Sequence, residues 1–168
     1  MVFVMLGTLN HPFNRFLNKI EELKNKNIIK GDVFVQAGET QFVSKNLKVV
    51  DYLTPEEFSN VIQDSELIIT HGGLGSIIAG LKKNKKVIAV PRKAKFKEHV
   101  DDHQIEIVEY FTLQKHILMS DVDDLEDVIL KSDVFEPLPY RFNESLNEFM
   151  FNLEAEINKL LENQEKVH

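Results

Sequence analysis

The chain has 168 residues, 43% hydrophobic and 28% charged, a size and balance suited to one soluble domain with a buried core. It contains no cysteine, which excludes a disulfide framework and any thiolate-bound metal. Its formal net charge of −7 argues against general nucleic-acid binding.

The opening MVFVMLGTLN lacks the basic region of a secretory signal. No run approaches the ~18 apolar residues of a membrane span, so the expectation is an intracellular protein. Val2 to Leu6 reads as a buried first strand ending at Gly7-Thr8. Pro12 suits a first helical turn, and Phe13, Phe16, Leu17, Ile20 and Leu23 place an amphipathic helix up to about Lys26. Asp32 to Ala37 is a second strand and Leu47 to Leu53 a third. Thr54-Pro55-Glu56-Glu57 opens a helix with an N-cap, a proline at the first position and a capping-box glutamate. Leu67 to Thr70 is a fourth strand running into His71-Gly72-Gly73-Leu74-Gly75-Ser76, after which Ile77, Ile78 and Leu81 take helical spacing. Val87 to Val90 is a further strand, stopped by Pro91. Asp101 to Phe111 reads as a helix, His116 to Met119 as a last strand and Val122 to Leu130 as a helix. Glu136-Pro137-Leu138-Pro139 then breaks the chain, and apolar residues at helical spacing predict a long helix from Arg141 to Asn163. The division expected is a domain over 1–135 and a helical extension over 136–168 available to a partner.

Strands alternating with helices imply an α/β, Rossmann-like parallel sheet covered on both faces. Ligands of such sheets bind at the carboxyl ends of the strands, near the switch in strand order. The loops expected there are Gly7 to Phe13, Gln36 to Gln41, Thr70 to Ser76 and Pro91 to His103, and they hold four of the six histidines. The glycine-rich turn before a helix suits a phosphate or diphosphate, because the first helical N–H groups lack partners and the dipole adds positive charge. It is neither common phosphate motif: Ile78 stands where a dinucleotide fingerprint needs glycine, and Leu81 follows Gly80 where a P-loop needs lysine. The competing reading is a tight turn whose glycines only relieve steric strain. Arg92, Lys93, Lys95 and Lys97 form a basic run, either a solvated loop or an attractor for a diphosphate or for anionic headgroups.

Gly7-Thr8, Pro12-Phe13-Asn14-Arg15, Thr70 to Ser76, Val90-Pro91-Arg92 and Glu98 to Gln104 occur in an order and spacing that resemble the carboxyl-terminal domain of glycosyltransferase family 28. The form it is most similar to is the stand-alone small subunit of two-component transferases, in particular the bacterial pairs that build capsular or exopolysaccharide. The resemblance implies the nucleotide-sugar half of a GT-B enzyme, with a UDP-sugar as donor substrate and no metal or other cofactor. It implies that His71, Gly72, Gly73, Gly75 and Ser76 bind the diphosphate, that Gly7 and Thr8 approach it, and that Asp102, His103 and Gln104 face the donor sugar. Ala79 stands where full-length relatives place a ribose-binding glutamate, a departure that removes that contact.

An inverting transfer needs a base for the acceptor hydroxyl. His11, on the first loop, is the candidate, against the alternative that it caps the following helix; His71 reads as a hydrogen-bond donor to phosphate. A GT-B site lies between two domains, so the resemblance implies a second, membrane-anchored subunit that brings a lipid-linked acceptor. The protein would then sit at the inner face of the membrane through that partner. Three rivals remain at this point: an accessory subunit that enhances a partner transferase, a Rossmann-like domain for another phosphorylated ligand, and a metal hydrolase using His99, Asp101, Asp102 and His103.

Overall fold

A computed structural model describes residues 1–8 and 11–140. Six strands form one sheet: β1 (Val2–Met5), β2 (Val33–Gln36), β3 (Lys48–Val50), β4 (Leu67–Thr70), β5 (Lys86–Ala89) and β6 (Leu118–Met119). Every pairing is parallel, and the strand order is β3-β2-β1-β4-β5-β6. Five helices connect or follow them: α1 (Asn14–Asn25), α2 (Pro55–Asp64), α3 (Leu74–Lys82), α4 (His103–Leu113) and α5 (Leu125–Ser132). This is the Rossmann-like α/β fold expected from the alternating pattern.

The strands are short apolar runs whose successive side chains enter opposite layers. Val2 and Val4 join one core with Phe16, Leu17 and Ile20 of α1 and Leu125 and Ile129 of α5. Phe3 and Met5 join the other, with Ile62 of α2, Ile77 and Leu81 of α3, and Val108 and Phe111 of α4. A sheet buried on both faces explains why its strands read as unbroken hydrophobic runs.

Register places the functional edge. Met5 pairs with Gln36 on one side and Thr70 on the other, and Thr70 pairs with Ala89. The ends of β2, β1, β4 and β5 are therefore level. The chain winds outward through β2 and β3, then returns to lay β4 beside β1, so the switch in strand order falls between Gly7 and His71.

Several helix boundaries move inward from their predicted positions, each for a local reason. α1 begins at Asn14, beyond Pro12, because the Phe13 N–H donates to Thr40 Oγ1 at 3.1 Å. α4 begins at His103, leaving Asp101 and Asp102 outside it, because their carboxylates accept from the His103 N–H at 3.2 Å and the Ala94 N–H at 2.8 Å. Such side-chain bonds to nearby backbone compete with the helix. Asp121 holds the Val122 N–H at 2.7 Å in the same way, and α5 starts at Leu125. The third strand shrinks to Lys48–Val50 and the last to Leu118–Met119.

Residues 136–140 return to the domain. The Leu138 N–H donates to the Lys115 carbonyl at 2.9 Å, His116 Nδ1 lies 2.8 Å from the Leu138 carbonyl, and Tyr140 packs on Phe111 and His116. The helix expected over Arg141 to Asn163, with its partner contact, lies outside the described residues. Among the described residues, no helix is long and apolar enough to cross a membrane.

Candidate functional site

The turn after β4 is built around one buried ring. His71 is 5% exposed, and its imidazole fills the gap between two glycines. A Cβ on Gly7 would lie 2.6 Å from His71 Nε2, and a Cβ on Gly73 would lie 2.4 Å from it. Both glycines are required by sterics, since real side chains never approach so closely. Gly72 is required for two reasons: its φ is +86°, and a Cβ there would lie 3.1 Å from Pro91 Cα. Gly38, at φ +58°, completes the packing by bringing its own backbone against the Gly7 carbonyl. Steric relief thus accounts for Gly7, Gly72 and Gly73. It does not account for Gly75, around which a Cβ would meet nothing.

His71 is held neutral. Burial first, then the positive charge of Arg92, pushes its pKa down to about 4. Nδ1 lies 3.3 Å from the Met5 carbonyl and 3.3 Å from Thr70 Oγ1. A carbonyl can only accept, so the Met5 contact calls for the proton on Nδ1, leaving Nε2 as an acceptor. In that tautomer the ring offers Nε2 as an acceptor, and the donors at this turn are backbone N–H groups. Gly73 is the N-cap of α3, with no side-chain cap. The first N–H groups of the helix, beginning with Leu74 and Gly75, have no intrahelical acceptor, and the space around a Cβ at Gly75 is open. Ser76 is half-buried in that first turn, and Thr8 is exposed across the crevice after β1.

The loop after β5 supplies the opposite wall. Gln104, in the first turn of α4, is buried, and its Oε1 accepts the Arg92 N–H at 3.2 Å. Its NH₂ end is the donor left for a ligand. Asp102 is exposed, with one carboxylate oxygen tied to the Ala94 N–H. The carboxylate of exposed Asp101 contacts both His99 and His103, and its hydrogen bonds from His103 hold it below the usual carboxylate range. The ligand atoms of these three residues lie within 4.8 Å of one another. His11 lies beside His99 of this group, its ring centroid 5.7 Å away and tilted by 38°. Its predicted alternative, capping α1, is not realised, because Phe13 is the N-cap. The structure therefore brings Gly7, the His71–Ser76 turn and the 92–104 loop to one edge and sets His11 against His99 of the latter.

Two features are missed by sequence reading. Arg15 chelates the buried Glu98, Nε to Oε1 at 3.0 Å and Nη2 to Oε2 at 3.2 Å, while its Nη1 reaches Asp121 at 3.4 Å. The Lys93 N–H also donates to Glu98 Oε2 at 3.1 Å, and Lys93 Nζ pairs with Asp121. Arg15 stacks on Phe96, 4.2 Å from its centroid. The network staples the 92–98 loop to α1 and to the end of β6. Secondly, Arg92 is not part of a solvated basic run: it is 1% exposed, while Lys95 and Lys97 are exposed. Both arginines stand in the motif stretches, but only tertiary contacts reveal which cation is buried. A cavity of about 480 Å³ lined by Met1, Asp32, Phe34 and Lys48 lies at the opposite, amino-terminal edge of the sheet, away from all these groups.

A model of the glycosyltransferase family 28 C-terminal domain matches residues 1–147. The chain is 29% identical over 153 residues to the UDP-N-acetylglucosamine transferase subunit ALG13 of Candida albicans, covering 88% of this chain and 50% of that protein. It is 25% identical over 111 residues to the ALG13 subunit of Eremothecium gossypii, covering 63% of this chain and 53% of that protein. The chain thus spans about half the length of the curated relatives it matches. Among solved structures, the NMR structure of ALG13 superposes with a TM-score of 0.61 at 23% identity, covering 88% of this chain and 93% of that one. Acinetobacter baumannii MurG superposes with a TM-score of 0.55 at 14% identity, covering 79% of this chain and 41% of that one. At those identities the structures speak to the fold alone.

Proposed function

The chain belongs to the glycosyltransferase family 28 C-terminal domain, and from that premise we propose that it is the nucleotide-sugar-binding subunit of a two-component inverting glycosyltransferase. The observation that carries this reading is the bed at the switch point. Gly7 and Gly73 close on a neutral His71, and the open first turn of α3 beside them presents unpaired N–H groups to a diphosphate. The 92–104 loop faces it with the Gln104 amide and with Asp102 and His103, groups suited to sugar hydroxyls.

In the reaction proposed, the acceptor hydroxyl oxygen bonds to the anomeric carbon as the bond from that carbon to the diphosphate oxygen breaks. The electron pair leaves with the nucleoside diphosphate, and the hydroxyl proton passes to a base. The α3 N–H groups and dipole stabilise the leaving group in the role Mg²⁺ plays elsewhere. His11 is the candidate base on this chain, and the other half of the enzyme would complete its surroundings. The curated relatives are fungal UDP-N-acetylglucosamine transferase subunits, so UDP-GlcNAc is the first donor to test. The narrower setting, transfer of a hexose to a lipid-linked acceptor of a capsular or exopolysaccharide, rests on the sequence motifs. There the chain would be cytoplasmic and bound to the inner membrane face through a membrane-anchored partner.

A second reading has one observation in its favour. Ala79, on α3, packs against the core and offers no carboxylate to a ribose, as an accessory subunit without its own donor site would allow. Calorimetric titration of the full chain with UDP-GlcNAc, UDP-Gal, UDP-Glc and UDP, with and without Mg²⁺, separates the two. Saturable binding without metal, lost in Gly73→Val, is expected. If neither the chain nor its complex with the partner subunit binds a nucleotide sugar, the accessory reading replaces this one.

A further inference from the structure

Arg92 is the group in this crevice that the proposed function has not used. Its side chain is 1% exposed, yet Nε and Nη1 are buried without any hydrogen-bond partner. Native chains rarely leave buried donors unpaired, and a guanidinium is among the worst groups to leave so. The acids nearby are already committed. Glu98 is chelated by Arg15 and bonded by the Lys93 N–H, and Asp121 serves Arg15, Lys93 and the Val122 N–H. The cluster thus holds three cations to two carboxylates, and Arg92 is the one in excess. Burial outweighs the attraction of Glu98 and draws its pKa down to about 10, so it stays cationic at neutral pH. The Phe13 ring, 5.5 Å from its Cζ, is its other company.

The position is as specific as the chemistry. Pro91 packs directly against Gly72 of the diphosphate turn, the Gln104 side chain pins the Arg92 N–H, and the guanidinium charge reaches His71. A cation with unpaired donors, next in sequence to the proline that packs on the turn before α3, matches one ligand chemistry, an anion with several oxygens at fixed spacing.

We propose that Arg92 is a diphosphate ligand of this chain, its Nε and Nη1 kept unpaired in the free protein for phosphoryl oxygens that enter between the Gly7, His71–Ser76 and Pro91–Arg92 segments. The assignment deepens the donor-binding reading and rests on it for the identity of the diphosphate as that of the nucleotide sugar. It also makes an inverse demand on stability. A residue kept for structure weakens the fold when replaced, whereas an unpaired buried cation kept for a ligand does not.

The test uses the full chain as wild type, Arg92→Met and Arg92→Lys, titrated with UDP, uridine, inorganic pyrophosphate and geranyl diphosphate, with melting temperature measured alongside. Arg92→Met is expected to melt at or above wild type and to lose UDP affinity about tenfold or more, the weight of one charged hydrogen-bonded contact. Uridine binding should be unchanged, and Arg92→Lys should restore part of the affinity, since it keeps the charge without the fork. UDP binding equal to wild type in Arg92→Met overturns the proposal. So does a drop in melting temperature accompanied by a parallel loss of uridine. Dependence on Arg92 for geranyl diphosphate but not UDP overturns the nucleotide assignment in favour of a lipid-borne diphosphate. If wild type binds pyrophosphate through Arg92 but no nucleotide, the donor reading falls and the anion site stands. If wild type binds none of the four, both fall.

Discussion

The turn after β4 and the loop after β5 lie side by side on the same edge of the sheet, and they are made by different physics. In the first, shape decides: glycines close on a neutral ring, and almost every constraint comes from residues adjacent in sequence or on the neighbouring strand. In the second, charge decides: an arginine, a lysine and two carboxylates from α1, the loop and the end of β6 settle the conformation among themselves. One wall of the crevice is thus a rigid bed of backbone donors, and the other is a charged clamp assembled across the fold. A site for an anionic, hydroxyl-rich ligand needs both.

Breaking the charged wall should have the largest effect. Glu98→Gln keeps shape and removes the buried carboxylate that Arg15 chelates, leaving half-buried Arg15 with Asp121 alone and buried Arg92 without the attraction of Glu98, and should lower unfolding free energy by about 3 kcal/mol. Denaturant titration reads it, and a change below about 0.5 kcal/mol, the ordinary range of surface substitutions, would mean the staple is ornamental.

The shape-determined wall should show itself through pH. The folded-state pKa of His71 lies below the ordinary value, at about 4 against 6.5, through burial and then Arg92. The unfolded chain therefore takes up a proton first. Stability from this group is fully present above about pH 6.5, falls as pH drops towards 4 and levels off below, by on the order of 3 kcal/mol in all. His71→Gln should flatten that part of the profile. Equal slopes for variant and wild type between pH 6.5 and 4 would contradict a buried neutral ring.

Gly73→Ala sharpens the comparison from the same side. A methyl 2.4 Å from His71 Nε2 must displace the ring, with a loss of about 2 kcal/mol, in the range of overpacking. Gly75→Ala, in open space, should leave stability unchanged within about 0.5 kcal/mol and weaken only ligand binding. Thr54→Ala, in the capping box of α2, should cost about 1 kcal/mol with no effect on ligand affinity, marking the size of a purely local term.

The same contrast explains what can be read from the sequence. Strand runs, the Thr54 capping box and the glycine turn announce themselves because their causes lie within a few residues, and the parallel sheet follows from their alternation. The starts of α1, α4 and α5 shift because Thr40, Asp101, Asp102 and Asp121 bind backbone N–H groups that periodicity alone assigns to helices. Gly7, Thr8, His71 to Ser76 and the 102–104 segment are found on the expected edge. The roles of His71 and Arg92 escape, because a tautomer depends on the Met5 carbonyl and burial depends on Phe13 and Gln104, contacts that appear only when distant segments meet.

The most direct test of the account is where a nucleotide diphosphate lands. Backbone amide resonances of the full chain should be followed by NMR during titration with UDP. The largest shifts are expected on Gly7, Thr8, Gly73, Leu74, Gly75 and the 92–104 loop, with Met1, Asp32 and Lys48 at the opposite cleft unmoved. Saturable shifts centred on that opposite cleft, with the glycine turn silent, would contradict it.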